Sequence, residues 1–482
     1  MARQKKITPS QLEKWDKQFL WHPFTQHYIW EKESPLIIES GKGVTLRDVK
    51  GRSFLDGVSS LWVNLHGHNH PFLNAAIKKQ LSKIAHSTFL GLSHKPGILL
   101  ARKLVQLAPK GLDRVFYADN GATAVEVALK MAYQYWVENS PQSKRKNRCE
   151  FMALQGSYHG DTIGAVSLGS VGPFHSKFKP LLFKSHFAMA PSCFRCPFNK
   201  NREPHRTRLG ERIRKVPHPG DRNTVTGCAW QCLSDVQRIL KKKSKDLAAA
   251  VIEPVVQGAT GINVMPPGYV AGFSRLCRRH GILLIADEVA TGFGRTGTLF
   301  AVEQEGVNPD FLCLAKSITG GYSPLSATLT RNRIYKAFWG PIQKGNTFFH
   351  GHSYTAHPLG AAVALANIDL IESRKLLEKS RYKATLMKEA LRALKDLPHV
   401  GSIRQSGLMS GIEIVQNKNT MKPFPYEKRM GAHICKKLLS HGIWMRPLGD
   451  TIVVMPPLAI SPKEIGRMVK SLYNVILHEI KT

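Results

Sequence analysis

Two short apolar segments, residues 282–286 and 311–315, constrain the fold of this chain more than any other feature. Each is too short for a typical helix and lacks the alternation of a half-exposed strand, so each predicts a strand buried on both faces. The first ends at Asp287 and the second at Lys316. Because ligands of open α/β sheets bind beyond the carboxyl ends of the strands, we expect both side chains to face one crevice. An acid and an amine placed in this way suit an aldehyde cofactor, which needs a lysine for its Schiff base and an acid beneath its ring nitrogen.

The alternation of strands and helices across residues 60–370 predicts an α/β fold, with a mostly parallel sheet flanked by helices. A length of 482 residues suggests two or three domains. We expect residues 59–373 to form the large domain, with an irregular, cysteine-containing insertion at about residues 191–245. The terminal segments, residues 1–58 and 374–482, would pair into one smaller α+β domain.

The composition is that of a globular protein, with 43% hydrophobic and 9% aromatic residues. The first residues are polar and lack the apolar core of a signal peptide. No apolar stretch reaches the ~18 residues that a membrane-spanning helix needs. The expected location is therefore the cytoplasm, with no membrane partner.

The charge is strongly positive: 69 Lys and Arg against 34 Asp and Glu give +35. Such a charge can indicate an anionic partner such as nucleic acid. However, the basic residues are spread along the chain, and no aromatic residues interleave with them to form a stacking platform. We expect no nucleic-acid partner, and the charge has no functional explanation in the sequence.

Four of the eight cysteines form two pairs, Cys193-x2-Cys196 and Cys228-x3-Cys232. The pairs resemble a zinc ligand set, although the stretch between them is longer than common zinc modules use. The alternative is a loop with reduced thiols, and both interpretations stay open. No metal is assigned to the expected cofactor site. His350 and His352 lie two residues apart but lack a convincing further ligand.

Two turns that follow predicted strands complete the candidate site. Residues 119–123 come between a strand at 114–118 and a helix, and such a turn offers backbone N–H groups and a positive helix end to a phosphate. Tyr158 comes soon after a strand at 151–154, where an aromatic ring can stack on a flat ligand.

Residues 287–297, Asp-Glu-Val-Ala-Thr-Gly-Phe-Gly-Arg-Thr-Gly, and residues 315–321, Ala-Lys-Ser-Ile-Thr-Gly-Gly, resemble the signature of class III pyridoxal-phosphate aminotransferases. The resemblance covers nearly the whole chain. It implies the PLP-dependent transferase fold type I, pyridoxal 5'-phosphate as cofactor and a homodimer with shared active sites.

Other segments narrow the resemblance to the branch that converts 8-amino-7-oxononanoate to 7,8-diaminononanoate in biotin synthesis. These segments are residues 21–26, 59–62, 158–162, 349–354 and 444–449. The usual amino donor of that branch is S-adenosyl-L-methionine. This chain has Phe24, Leu61 and His352-Ser353 where the best-known members have Tyr, Trp and Pro-Thr. Of these departures, Leu61 and His352-Ser353 resemble the members that use L-lysine, so the donor stays open.

The resemblance implies a role for each matching residue. Lys316 would carry the cofactor and move the proton, and Asp287 would hold the ring nitrogen protonated. The remaining cofactor contacts would come from Gly121 and Ala122 on the phosphate, Tyr158 on the ring, and His352 and Ser353 of the partner subunit. Asp161 would support the site. The substrate pocket would comprise Phe24, Leu61, Trp62, Tyr158, Lys316, Gly351 from the cross-subunit loop, Arg446 on the carboxylate, and Arg295 as a second arginine.

Two alternatives are weighed against this interpretation. The first is another class III aminotransferase acting on an ω-amino acid, which residues 21–26 and 59–62 disfavour. The second is a basic nucleic-acid-binding protein on a relict enzyme fold, which predicts no bound cofactor and salt-sensitive binding.

Overall fold

A computed structural model describes residues 7–139, 148–198, 228 and 230–480 of the chain. The strands are β1 (Ile38–Lys42), β2 (Thr45–Asp48), β3 (Ser53–Asp56), β4 (Arg114–Ala118), β5 (Glu150–Leu154), β6 (Ser185–Ala188), β7 (Leu247–Ile252), β8 (Val256–Gln257), β9 (Asn263–Val264), β10 (Leu283–Asp287), β11 (Phe311–Leu314), β12 (Ser326–Thr330), β13 (Val400–Ser406), β14 (Met409–Ile414), β15 (Ile443–Trp444), β16 (Arg446–Leu448) and β17 (Thr451–Val454). The α-helices are α1 (Pro9–Phe19), α2 (His27–Trp30), α3 (Ser59–Trp62), α4 (Pro71–Leu81), α5 (Lys95–Leu107), α6 (Gly121–Asn139), α7 (Ile163–Ser167), α8 (Gly172–His175), α9 (Cys232–Lys243), α10 (Tyr269–Arg279), α11 (Asn332–Tyr335), α12 (Pro358–Ser373), α13 (Leu376–Arg392), α14 (Met430–Leu438) and α15 (Pro462–Glu479).

The large sheet confirms the predicted α/β fold. Its seven strands follow the order β4-β12-β11-β10-β7-β5-β6. All neighbours are parallel except β12, which runs antiparallel to both β11 and β4. Strands β10 and β11 are adjacent, and Asp287 pairs with Cys313. Lys316 follows β11 by two residues, so the acid and the amine emerge from neighbouring strands at one edge, as predicted.

Strands β10 and β11 are buried along their whole length, as their continuous apolar sequences predict. Alternate residues serve two apolar clusters on opposite faces of the sheet. Leu284 and Ala286 belong to one cluster, and Leu283 and Ile285 to the other. Helices therefore cover both faces, which leaves the strand ends as the place for a ligand.

The two ends of the chain meet in one small sheet of order β1-β2-β3-β15. Strand β15 pairs in parallel with β3, with Ile443 opposite Leu55 and Trp444 opposite Asp56. A second, antiparallel sheet has the order β13-β14-β17-β16 and carries Arg446. This pairing agrees with one smaller unit built from both termini, although the domain boundaries at residues 58 and 373 stay predictions.

Helices long and apolar enough to cross a bilayer are absent from the described part of the chain. Much of the predicted insertion, including residues 199–227, lies outside the described residues. Its described parts are residues 191–198 and the segment that leads into α9, which contain the paired cysteines.

Candidate active site

Lys316 begins a short 3-10 turn, Lys316–Thr319, directly after β11. Its φ of 40° lies in the left-handed region, which is rare outside glycine and is often associated with functional sites. The amine Nζ lies 5.3 Å from the centroid of the Trp62 ring. Burial lowers the pKa of Lys316, the charges of Asp287 and Glu253 oppose that shift, and Arg295 adds to it. A lysine with a lowered pKa can accept and return a proton near neutral pH.

Asp287, at the end of β10, is only 4% exposed. Its Oδ2 lies 2.7 Å from Nδ1 of His159, and its Oδ1 accepts a hydrogen bond from the backbone N–H of Val289 at 3.0 Å. Burial lowers the pKa of His159, but the hydrogen bond and charge of Asp287 outweigh it, so the pKa is raised overall. A protonated histidine would therefore hold the carboxylate in a fixed orientation.

The predicted phosphate turn lies against the same strand end. Helix α6 starts at Gly121, and the first N–H groups of any α-helix have no partner within the helix. Asn120 Oδ1 accepts the N–H of Thr123 at 3.0 Å. A Cβ on Gly121 would come within 2.5 Å of the Val289 side chain, so this glycine allows the helix end to approach β10. The N–H groups of Gly121 and Ala122 therefore lie near the loop that follows Asp287, and they are suited to bind an anion.

Tyr158 is held by two acids. Its hydroxyl donates to Asp161 Oδ2 at 2.6 Å, and its backbone N–H donates to Glu253 Oε1 at 3.2 Å. Burial, together with the hydrogen bond to Asp161, raises the pKa of Tyr158. The Tyr158 ring meets Phe174 edge-on at 6.3 Å, and Phe174 meets Phe24 in the same way at 5.1 Å. Asp161 thus orients the Tyr158 hydroxyl, and Phe24 is linked to Tyr158 through the ring of Phe174.

The loop that contains Leu61 and Trp62 adopts a strained backbone. Ser59, Ser60 and Trp62 all have positive φ values, of 52°, 60° and 66°. Asp56 stabilises the loop because its Oδ2 accepts the N–H of Ser60 at 2.7 Å. As a result the Trp62 ring is buried beside Lys316, while Leu61 stays 49% exposed.

Arg446 on β16 is the arginine with a guanidinium available to a ligand. It is half-buried, and no hydrogen bond or ion pair of its side chain occurs among the described residues. Burial lowers its pKa, and Tyr158 acts in the opposite direction, which places the two groups within electrostatic range. A free, partly desolvated guanidinium near the tyrosine fits the predicted binding of a carboxylate.

Arg295 makes contacts within the core in this structure, and its role as a second substrate-binding arginine stays a prediction. Its side chain is fully buried, and it donates to the carbonyls of Pro456 at 2.9 Å and Asn64 at 2.7 Å. Burial lowers its pKa to about 9. Arg295 therefore joins its own loop to the segments that contain Asn64 and Pro456.

Arg295→Ala is expected to lower the free energy of unfolding by about 3 kcal/mol or more, because it leaves a cavity and two unsatisfied carbonyls. Arg446→Ala, the matched control, should change it by less than about 1 kcal/mol. Urea denaturation of both variants, monitored by circular dichroism, measures the difference. Equal stabilities would contradict the core role of Arg295.

The segment with Gly351, His352 and Ser353 lies close to the phosphate turn of its own chain. His352 Nε2 is 3.9 Å from Asp119 Oδ1, just before the start of α6. Gly351 and Ser353 are exposed. The exposed residues are free to face a second subunit, and their contribution to a partner's site stays a prediction.

Two residues near Lys316 were not assigned a role from the sequence, His159 and Glu253. Glu253 directly follows β7 and accepts the N–H groups of Tyr158 and Gly258. Burial raises its pKa to about 7; Asp287 adds to the shift and His159 opposes it. Like Asp287, Glu253 lies at the carboxyl end of a buried strand, where ligands of open α/β sheets bind. His159 has no comparable signal except its position beside Tyr158.

The arrangement fits pyridoxal phosphate on the chemistry of its donors: an acid, an amine with a lowered pKa, and a helix end for the phosphate. Fold and site together define a PLP-dependent aminotransferase. The family model "Aminotransferase class-III" matches residues 28–476, and the chain belongs to that family.

The relatives agree with this assignment. The chain is 45% identical to adenosylmethionine-8-amino-7-oxononanoate aminotransferase of Geobacter sulfurreducens, over 96% of this chain and 97% of the relative. The crystal structure of the enzyme of that name from Methanocaldococcus jannaschii superposes with a TM-score of 0.87 at 40% identity, covering 97% of this chain and 98% of the other. An omega transaminase from Pseudomonas jessenii, solved in complex with PMP, gives a TM-score of 0.85 at 27% identity, covering 96% and 97%.

Proposed function

We propose that this enzyme transfers an amino group to 8-amino-7-oxononanoate and so forms 7,8-diaminononanoate for biotin biosynthesis, in the cytoplasm. The observation that carries the proposal is 45% identity, over 96% of the chain, to a relative named for this reaction. The site agrees with it, because Lys316 and Asp287 lie at adjacent strand ends and Arg446 is available for the substrate carboxylate.

Pyridoxal phosphate, when bound, supplies an electron sink for the negative charge that develops on the reacting carbon. Asp287 would accept a hydrogen bond from the protonated ring nitrogen, and Gly121 and Ala122 would donate theirs to the phosphate. Lys316 Nζ would remove the proton from the amine-bearing carbon of the donor and deliver one during the return half-reaction. Its lowered pKa makes the neutral, proton-accepting amine more accessible than in an ordinary lysine.

His159 and Glu253 would assist without contacting the substrate. His159 holds Asp287 by the 2.7 Å hydrogen bond. Glu253 holds the backbone of Tyr158 and also that of Gly258, and a Cβ on Gly258 would come within 3.1 Å of the Trp62 ring. The carboxylate thereby fixes the spacing between the tyrosine and tryptophan walls of the pocket.

The pocket proposed for the acceptor joins an apolar wall to a charged end. Trp62, Leu61 and Phe24 would contact the alkyl chain of the acceptor. Arg446 would bind its carboxylate through the guanidinium fork. This division matches a substrate with a carboxylate at one end and a reacting ketone near the other.

Arg446→Ala is expected to raise KM for 8-amino-7-oxononanoate about 10- to 100-fold, because a charged hydrogen bond contributes roughly 1.5–3 kcal/mol. Arg446→Lys should recover only part of this, since lysine cannot bind a carboxylate in the bidentate manner. The exposed Arg238, which pairs with Asp235 on α9, provides the control Arg238→Ala. Steady-state kinetics give the measurement. An unchanged KM in Arg446→Ala would contradict the assigned role.

The amino donor is proposed to be S-adenosyl-L-methionine, with L-lysine as the rival that Leu61, His352 and Ser353 favour. Each amine is added alone to the purified holoenzyme, and the absorbance change on conversion of the cofactor to its amino form is followed. Conversion by S-adenosyl-L-methionine supports the proposal. Conversion by lysine alone would overturn this part of it, and would leave the acceptor assignment untouched.

A second candidate is an ω-amino acid aminotransferase, because omega transaminases share this fold. One from Thermomicrobium roseum superposes with a TM-score of 0.87 at 32% identity, over 98% of this chain and 99% of the other. Complementation of a biotin auxotroph that lacks this step separates the two. Growth supports the proposed acceptor, whereas failure with well-expressed, cofactor-loaded protein favours an ω-amino acid.

We also propose a homodimer in which residues 349–354 of each subunit complete the site of the other. Phe349 and Tyr354 are 83% and 57% exposed, which is unusual for large apolar side chains unless another surface covers them. Their position beside the phosphate turn agrees with a contact across the site.

A further inference from the structure

The four paired cysteines lie in one small region outside the active site. Cys193 begins a short 3-10 turn, Cys193–Arg195, that is followed at once by Cys196. Cys232 is the first residue of α9. The backbone N–H of Met189 donates to Asp235 Oδ2 at 2.9 Å, and this bond ties the segment before Cys193 to the first turn of α9. This bond brings the Cys193–Cys196 pair close to the start of α9, which contains Cys232.

The thiols also affect one another electrostatically. Burial, with smaller contributions from the other three thiols led by Cys228, raises the pKa of Cys193 to about 12. Burial raises the pKa of Cys232 to about 11, with further contributions from Cys228 and Cys196. Charge interactions weaken with distance, so this mutual influence agrees with the hydrogen-bonded contact in placing the four cysteines in one region of the molecule.

From this clustering, we propose that Cys193, Cys196, Cys228 and Cys232 form a structural site for one zinc ion. Two closely spaced pairs of cysteines are the usual donor set for tetrahedral, four-sulfur zinc. The described residues contain no group of three or more potential ligands already arranged around a metal. The thiol side chains would therefore rotate inward as the ion displaces their protons.

The zinc site would fasten the irregular segment to the second antiparallel sheet. It lies next to strands β14 and β13, because Arg195 donates to Glu413 Oε1 on β14 at 2.9 Å and Phe194 packs against Gly401 on β13. A structural ion is expected because four sulfur ligands leave no open position for a substrate. The inference is independent of the proposed reaction.

The test uses the full-length protein, purified under reducing conditions without a chelator. We expect about one zinc per chain by mass spectrometry of the metal, and intense charge-transfer absorption after cobalt substitution, as thiolate ligands give. The double variant Cys193→Ser/Cys196→Ser should lose both signals. The control Cys149→Ser removes an exposed cysteine outside the cluster and should keep both.

Stability provides a second measurement if the double variant expresses poorly. A zinc chelator should lower the melting temperature of the wild type and of Cys149→Ser by several degrees, and the single variant Cys228→Ser should respond less. Absence of zinc from the reduced wild type, with no stoichiometric uptake on titration, would overturn the proposal. Disulfides between these cysteines in protein kept reduced during purification would overturn it as well.

Discussion

Lys316→Ala should abolish turnover almost completely, with a fall in kcat of roughly 10⁴-fold, because it removes both the attachment point of the cofactor and the proton-transferring group. The wild-type protein should be yellow and bleach with borohydride, and the variant should not form the borohydride-stable adduct. Visible absorbance before and after reduction, followed by mass spectrometry of the peptide containing residue 316, gives the measurement.

The control is Lys383→Ala, which removes another partly buried lysine with a lowered pKa, at a position where its Nζ donates to the carbonyl of Leu458. This variant should keep its colour and most of its activity. A borohydride-stable adduct in Lys316→Ala would disprove the assignment. Colourless wild-type protein that binds nucleic acid in a salt-sensitive manner would instead favour the relict-fold alternative.

The acid and the amine could be predicted from sequence because their positions depend on local rules. Strands buried on both faces have continuous apolar sequences, and their carboxyl ends collect at one edge of a parallel sheet. The positions of Asp287 and Lys316 follow from these two rules alone. The helix end at Gly121 follows in the same way, since a strand and a helix flank it.

The environment of Arg295 cannot be predicted from such local rules. The motif that contains it indicates the family, but the side chain depends on carbonyls of Asn64 and Pro456, which lie far away in sequence. No local pattern distinguishes an arginine buried in the core from one that faces a pocket. Arg446, by contrast, lies on the second antiparallel sheet, within electrostatic range of Tyr158. That sheet forms by pairing of strands distant in sequence, so no local pattern predicts the position of Arg446.

Glu253 follows the same local rule as Asp287, although the sequence alone assigns it no role. It directly follows the buried strand β7, much as Asp287 ends β10, but no local pattern shows that these two strands are neighbours. The structure shows a carboxyl group whose pKa burial raises to about 7, in hydrogen-bond contact with the Tyr158 backbone. The missing information was the adjacency of β7 and β10, which places two acids side by side.

Asp287→Asn should reduce kcat on the order of 10²–10³-fold, because a neutral amide cannot keep the cofactor ring nitrogen protonated as the charge develops. KM for the acceptor should change little, since Asp287 would contact the cofactor ring whereas Arg446 would bind the substrate carboxylate. The variant should still bind the cofactor through Lys316, so its visible spectrum separates this effect from loss of cofactor. Asp287→Glu retains the charge and should recover part of the activity.

The same variant should change how stability depends on pH. Asp287 is what raises the pKa of His159 above its ordinary value of 6.5, so in Asp287→Asn burial acts without that opposition and the pKa should fall. Because the pKa of His159 is raised in the folded protein, protonation of His159 stabilises the wild type. This stabilisation is fully present below pH 6.5, and it is lost as the pH rises through the raised pKa. The stability difference between wild type and variant should therefore shrink as the pH increases from 6.5 upward. Urea unfolding across that range measures it, and a difference that grows with pH would show that His159 is not the proton-holding partner of Asp287.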